Sequence, residues 1–193
     1  MKKVILLSLT VLFLGCAAGP PLKDSQFSKT NLPQKHLIEK VPIYRQPYMD
    51  CGPTTLRMVL NYYGKTLSEE EIGKARKGRG TSVSDMESYP RSLGFQINSF
   101  YDWKKEEMKL LLAQGYPLIA LGVRPPDWTK GERYSGEGHF VVVVGYDDSK
   151  KIFNVHDPNG GRKLQIPYDV FKEFHRAHPT HGNYVLCIYP KGK

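Results

Sequence analysis

Gly138-His139-Phe140-Val141-Val142-Val143-Val144-Gly145-Tyr146-Asp147 holds seven consecutive residues, Phe140 to Tyr146, that are apolar apart from one glycine. An unbroken β-branched run of this length reads as a central strand buried on both faces. Asp147-Asp148-Ser149-Lys150 turns the chain back, and Lys151 to His156 supplies the hairpin partner. Asn159-Gly160-Gly161 is a tight turn into a further strand, Arg162 to Ile166. Tyr168 to His175 has the spacing of a short helix, and Asn183 to Tyr189 that of a last strand. Towards the N-terminus, Leu118 to Val123 and Phe95 to Phe100 read as strands. Between them Trp103 to Gln114 reads as a helix closed by Gly115.

The first half of the chain carries helical signals. Leu56, Val59, Leu60 and Tyr63 share one face of a helix expected over Pro53 to Tyr63, ended by Gly64. Ser68-Glu69-Glu70-Glu71 is a capping box opening a second helix. Val83 to Leu93 predicts a third, disturbed by Pro90. Helices therefore come first and a mostly antiparallel sheet follows, which is an α+β class and not a βαβ series. Arg124 to Gly138 is a long loop rich in Pro, Gly and charge. Its Trp128 and Tyr134 either line a cleft or pack on their own domain.

Lys2 and Lys3, then the apolar Val4 to Leu14, have the form of a signal peptide, too short to span a bilayer comfortably. Phe13-Leu14-Gly15-Cys16-Ala17 resembles the lipobox of bacterial lipoproteins, which implies a signal peptide over 1–15 and lipidation of Cys16. The aperiodic, Pro-containing stretch 16–40 is then a lipidated tether. The domain occupies 41–190, beginning with the extended Val41-Pro42-Ile43-Tyr44. The location implied is the bacterial cell envelope, on the periplasmic side or at the outer membrane. Loss of Lys2 and Lys3 would leave 26 basic against 19 acidic residues, a surplus suited to anionic surfaces. The basic residues are scattered and no nucleic-acid motif is present, so no nucleic-acid partner is expected.

Of the three cysteines, Cys16 has the lipobox and Cys187 lies in an apolar strand pattern, as a small buried residue would. Cys51 stands at an expected helix start, Asp50-Cys51-Gly52-Pro53. The dipole and free amides of a helix N-terminus favour a thiolate, the nucleophilic form. Gly52 would let a carbonyl approach, and Pro53, having no N–H, fits the first turn. A thiolate needs an imidazole to hold the ion pair and protonate a leaving group. His139 sits at the mouth of the central strand. Asp157, in His156-Asp157-Pro158, ends the next strand, where a hairpin can bring it to His139 as the orienting acid. Asp157 could also simply start a turn. Gln46, five residues before Cys51, could join the Cys51 N–H in an oxyanion hole. A Cys51–Cys187 disulfide is the rival arrangement in an oxidising compartment.

These segments, Gln46 through Cys51-Gly52-Pro53-Thr54-Thr55-Leu56, then Gly138 to Asp147, then His156-Asp157-Pro158, resemble the peptidase C39 and C39-like group of papain-like cysteine peptidases. The resemblance spans roughly residues 40 to 190. It implies a papain-like fold, Cys51 as nucleophile, His139 as base, Asp157 as orienting acid and Gln46 as oxyanion donor. Family members often have one more residue between the Gln and Cys positions. The activity implied is cleavage of a peptide or amide bond through a thioacyl intermediate, without cofactor or metal, on a peptide or protein substrate. A binding module that kept the fold, and an acyltransferase using the same residues, are the alternatives. A leader peptidase fused to an export ATPase is not implied, because the sequence has no Gly-rich phosphate loop. His156 alternates to the face opposite Asp157 and reads as structural. His175, His178 and His181 suggest a metal site, but without a Cys or carboxylate cluster beside them they read as an exposed loop.

Overall fold

The computed structural model describes residues 31–76, 78, 80–102, 104–128 and 136–191. The expected lipidation site Cys16, the signal peptide over 1–15, Trp103 and Tyr134 lie outside them. The elements in chain order are β1 (Lys35–Leu37), α1 (Cys51–Tyr62), α2 (Glu69–Gly73), α3 (Val83–Ser92), β2 (Phe95–Phe100), α4 (Lys105–Ala113), β3 (Leu118–Val123), β4 (Gly138–Asp147), β5 (Ile152–Asp157), β6 (Arg162–Pro167), α5 (Tyr168–Arg176) and β7 (Val185–Pro190). This is the expected α+β arrangement, with N-terminal helices packed on an antiparallel sheet.

The sheet runs β2-β7-β3-β4-β5-β6, with β1 added to β4. The strand pairs are antiparallel. β4 is the spine. Its Val141, Val142 and Val143 are wholly buried, as a run covered on both faces requires. α1 and α4 pack against β4, and α5 packs against β3, β5 and β6. α1 brings Leu56, Met58, Val59 and Leu60 into the core with no exposed surface. Among the described residues no helix is long and apolar enough to cross a membrane.

The tether expected over 16–40 is corrected at its C-terminal end. Lys35–Leu37 pairs with Gly145–Asp147, and Ile38 is buried. β5 occupies the other edge of that part of β4, so β1 continues the line of β3, whose ladder stops at Val143. The Tyr146 hydroxyl donates to Pro33 O (2.9 Å), and the Ile38 N–H donates to Val144 O (2.8 Å). A Cβ on Gly145 would lie 2.3 Å from His36 O, so the close crossing of β1 requires glycine there. The packed domain therefore begins before residue 41.

Candidate active site

Two strand ends and one helix start build the site. His139 is the second residue of β4, opposite Gly122 of β3. His156 pairs with Val142, which puts Asp157 across from Val141 and diagonal to His139 on the same face. The register alone thus brings imidazole and carboxylate together, with His139 Nε2 2.8 Å from Asp157 Oδ1. An ionised carboxylate only accepts, so Nε2–H is the donor. Nδ1 is left for Cys51, with which His139 also hydrogen-bonds.

Cys51 opens α1 and is half-buried. The Thr54 N–H makes the first intrahelical bond, to Asp50 O (3.0 Å), which leaves the Cys51 N–H at the open end of the helix. Asp50 does not cap α1 through its side chain and instead pairs with Arg76 Nη1 at 2.9 Å. Cys51 and Cys187 are both free thiols, which rules out the rival disulfide. Cys187 is wholly buried in β7, and burial pushes its thiol far up, so it stays protonated.

Asp157 has no exposed surface and, among the described residues, four donors. Oδ1 accepts from His139 and from the Asn159 N–H (2.8 Å), while Oδ2 accepts from Trp128 Nε1 (3.1 Å) and Arg162 Nη2 (3.0 Å). Asp157 therefore starts the turn and also faces His139. Burial opposes its ionisation, but the bonds from His139, Asn159 and Trp128 hold its carboxyl below the ordinary carboxylate value. Burial alone would likewise depress His139. The hydrogen bonds to Asp157 and Cys51, with their charges, push it up to about 9. The imidazolium is the favoured form at neutral pH, as a thiolate–imidazolium pair needs.

Gln46 lies in the cleft wall with Cys51. Its N–H donates to Pro158 O (2.9 Å), which ties the segment before α1 to the Asp157 turn. Its Oε1 is buried without a hydrogen-bond partner among the described residues. The cleft has a volume of about 990 Å³, within the usual range for ligand sites.

Several site features were not expected from the sequence. The space above Gly52 belongs to Thr81, whose side-chain atoms lie 2.6–2.8 Å from where a Cβ would stand. Thr81 Oγ1 faces this region without a partner among the described residues. Gly138 is where His178 packs, its Nε2 3.0 Å from a would-be Cβ. Of the two placements open to Trp128 in the sequence, the structure has it packed on its own domain, buried against Phe174 with centroids 4.9 Å apart. The exposed-loop reading of the histidine series is corrected. His175 is buried on α5 with Nε2 3.0 Å from Tyr184 O, while His178 and His181 are half-buried in the cleft wall. His178 Nδ1 accepts the His181 N–H (3.1 Å). His156 is buried and bonds to the Pro42 backbone.

Residues 38–184 match the peptidase C39 like family. The chain belongs to this family. Among solved structures, the C39-like domain is similar to a C39-like peptidase from Bacillus anthracis, with a TM-score of 0.63 at 17% identity, covering 82% of this chain and 99% of that one. It is also similar to a double glycine motif protease from an AMS/PCAT transporter, solved in complex with the leader peptide. There the TM-score is 0.57 at 24% identity, over 81% of this chain and 99% of that one. Xylellain, a cysteine protease from Xylella fastidiosa, gives 0.59 at 14% identity, over 84% and 88%. These likenesses establish the papain-like C39 fold. Among curated proteins none matches the sequence.

Proposed function

We propose that the protein is a cysteine peptidase that cleaves a peptide or amide bond of a peptide or protein substrate in the bacterial cell envelope. The observation that carries this reading is that Cys51 and His139 line one open cleft and interact, with the wholly buried Asp157 behind the ring, His139 Nε2 lying 2.8 Å from Asp157 Oδ1.

In this reading the Cys51 thiolate attacks the carbonyl carbon. A C–S bond forms and the carbonyl π pair moves to oxygen. The Cys51 N–H and the Gln46 side chain hold that oxyanion. The pair returns, the C–N bond breaks, and the imidazolium gives its proton from Nδ1 to the departing nitrogen. Water then attacks the thioacyl carbon as His139 takes its proton, and the C–S bond breaks to release acid and thiolate. Asp157 fixes the ring throughout. That a structural neighbour holds a leader peptide supports an extended peptide as the occupant of this cleft.

The test is incubation with a mixed peptide library followed by mass spectrometry. The parent is expected to yield new termini and Cys51→Ala none, at an unchanged melting temperature. Cleavage by Cys51→Ala would overturn the reading. For the location, we propose that Cys16 carries lipid and anchors the domain. Cys16→Ala is then expected to move the protein from the membrane to the soluble fraction.

A further inference from the structure

We propose that Arg162 is a positioning residue for the His139–Asp157 pair, a permanent counter-ion that keeps the buried carboxylate charged and fixed while His139 gains and loses its proton. This rests on the cysteine peptidase reading above and adds a residue to it.

Arg162 stands directly opposite Asp157 in the β5–β6 ladder. Its side chain folds back over the connecting turn, with Nε donating to Asn159 O (3.0 Å) and Nη2 to Asp157 Oδ2 (3.0 Å). Asn159 in turn donates its N–H to Oδ1 of the same carboxylate. The left-handed glycines Gly160 (φ 85°) and Gly161 (φ 65°) let the turn close this tightly.

The need for a second cation follows from burial. Asp157 has no exposed surface, and an uncompensated buried carboxylate is costly. When His139 hands its proton to the leaving nitrogen it becomes neutral, and Asp157 loses that counter-ion. Trp128 and the Asn159 N–H still donate hydrogen bonds but carry no charge. Arg162 does not deprotonate, so its charge persists through the cycle. Without it, His139 would be the sole counter-ion and would release its proton less readily.

Among the described residues, the charged and titratable groups around the pair are few. Asp157 is faced by His139 from β4 and Arg162 from β6. His139 is faced by Asp157 from β5 and Cys51 from α1. Arg45, Arg124, Glu137, His178 and His181 line the same cleft, and Arg45 packs on Gly161 of the turn without a bond to the carboxylate among the described contacts. Asp50 beside Cys51 is paired with Arg76, and His156 alternates to the other face of β5. Among the described residues, Arg162 alone adds a fixed positive charge on the carboxylate.

The experiment measures the rate of Cys51 alkylation by iodoacetamide against pH, in full-length parent, Arg162→Gln, Arg162→Met and Arg162→Lys. The alkaline step that disappears in His139→Ala reports loss of the His139 proton. In both neutral variants this step is expected to move up by about 0.5–1 pH unit, a charge effect reduced by the half exposure of Arg162. Arg162→Lys is expected to keep the parental position. The side chain is 49% exposed on an edge strand, so the fold tolerates these changes. Circular dichroism melts confirm that for each variant. A step that stays in place or moves down in the neutral variants overturns the proposal. So does an equal shift in Arg162→Lys, which would assign the effect to guanidinium shape and not charge. A parental profile with no His139-dependent step would overturn the thiolate–imidazolium reading, and this proposal with it.

Discussion

His139 and Asp157 define the residue scale, because each sets the charge state of the other. Trp128 supplies one of four donors to a carboxylate with no exposed surface. Trp128→Phe keeps most of the packing on Phe174 and removes that bond. It is expected to lower stability by about 2 kcal/mol, the usual cost of a lost hydrogen bond to a buried charge, as read from the urea midpoint. The candidate catalytic residues were legible because each sits in a local pattern. Cys51 is marked by a helix-start signature, His139 by the mouth of an apolar strand, and Asp157 by a strand end before Pro158. The groups that support them were not legible. Trp128, Arg162, Thr81 and His178 reach the site across strands or loops, and no periodicity in their own segments indicates where their side chains go.

At the scale of elements, the glycines mark where backbones cross too closely for a side chain. Gly145 is the clearest, with His36 O 2.3 Å from a would-be Cβ. Gly145→Ala is expected to push β1 off β4 and cost about 1–3 kcal/mol, typical of overpacking, with raised hydrogen exchange at Ile38 as the local signature. Unchanged exchange there would show that β1 contributes nothing to the sheet. β1 went unread in the sequence for two reasons. Three residues give no measurable alternation, and its partner lies more than a hundred positions away. The longer elements, β4 above all, were legible because burial on both faces leaves an unbroken apolar run. α1 begins two residues earlier than its apolar pattern suggests. That shift places Cys51 inside the first turn.

For the whole molecule, three buried histidines shape the dependence of stability on pH. The folded state raises His139 from 6.5 to about 9, so its contribution is full below about pH 6.5 and is lost as pH rises through 9. Burial, only partly offset by the bond to Tyr184 O, lowers His175 from 6.5 to about 4. The unfolded chain then binds the extra proton, and stability falls as pH drops from 6.5 towards 4. His156 is shifted in the same direction as His175, also by burial. The fold is therefore expected to be most stable near pH 6.5. Between pH 7 and pH 5 the loss due to His175 is about 2 kcal/mol. Chemical denaturation across this range should show His175→Phe flattening the acid side and His139→Gln the alkaline side. The central proposal is that His139 activates Cys51 as a nucleophile inside an otherwise ordinary packed domain. The most direct measurement is the rate of Cys51 carbamidomethylation at pH 6 by intact-mass spectrometry, in parent and His139→Ala. With Cys16→Ala in both proteins, the account predicts that the parent reacts at least about tenfold faster, with a single adduct on Cys51, because Cys187 is wholly buried. Equal rates in the two proteins would contradict it.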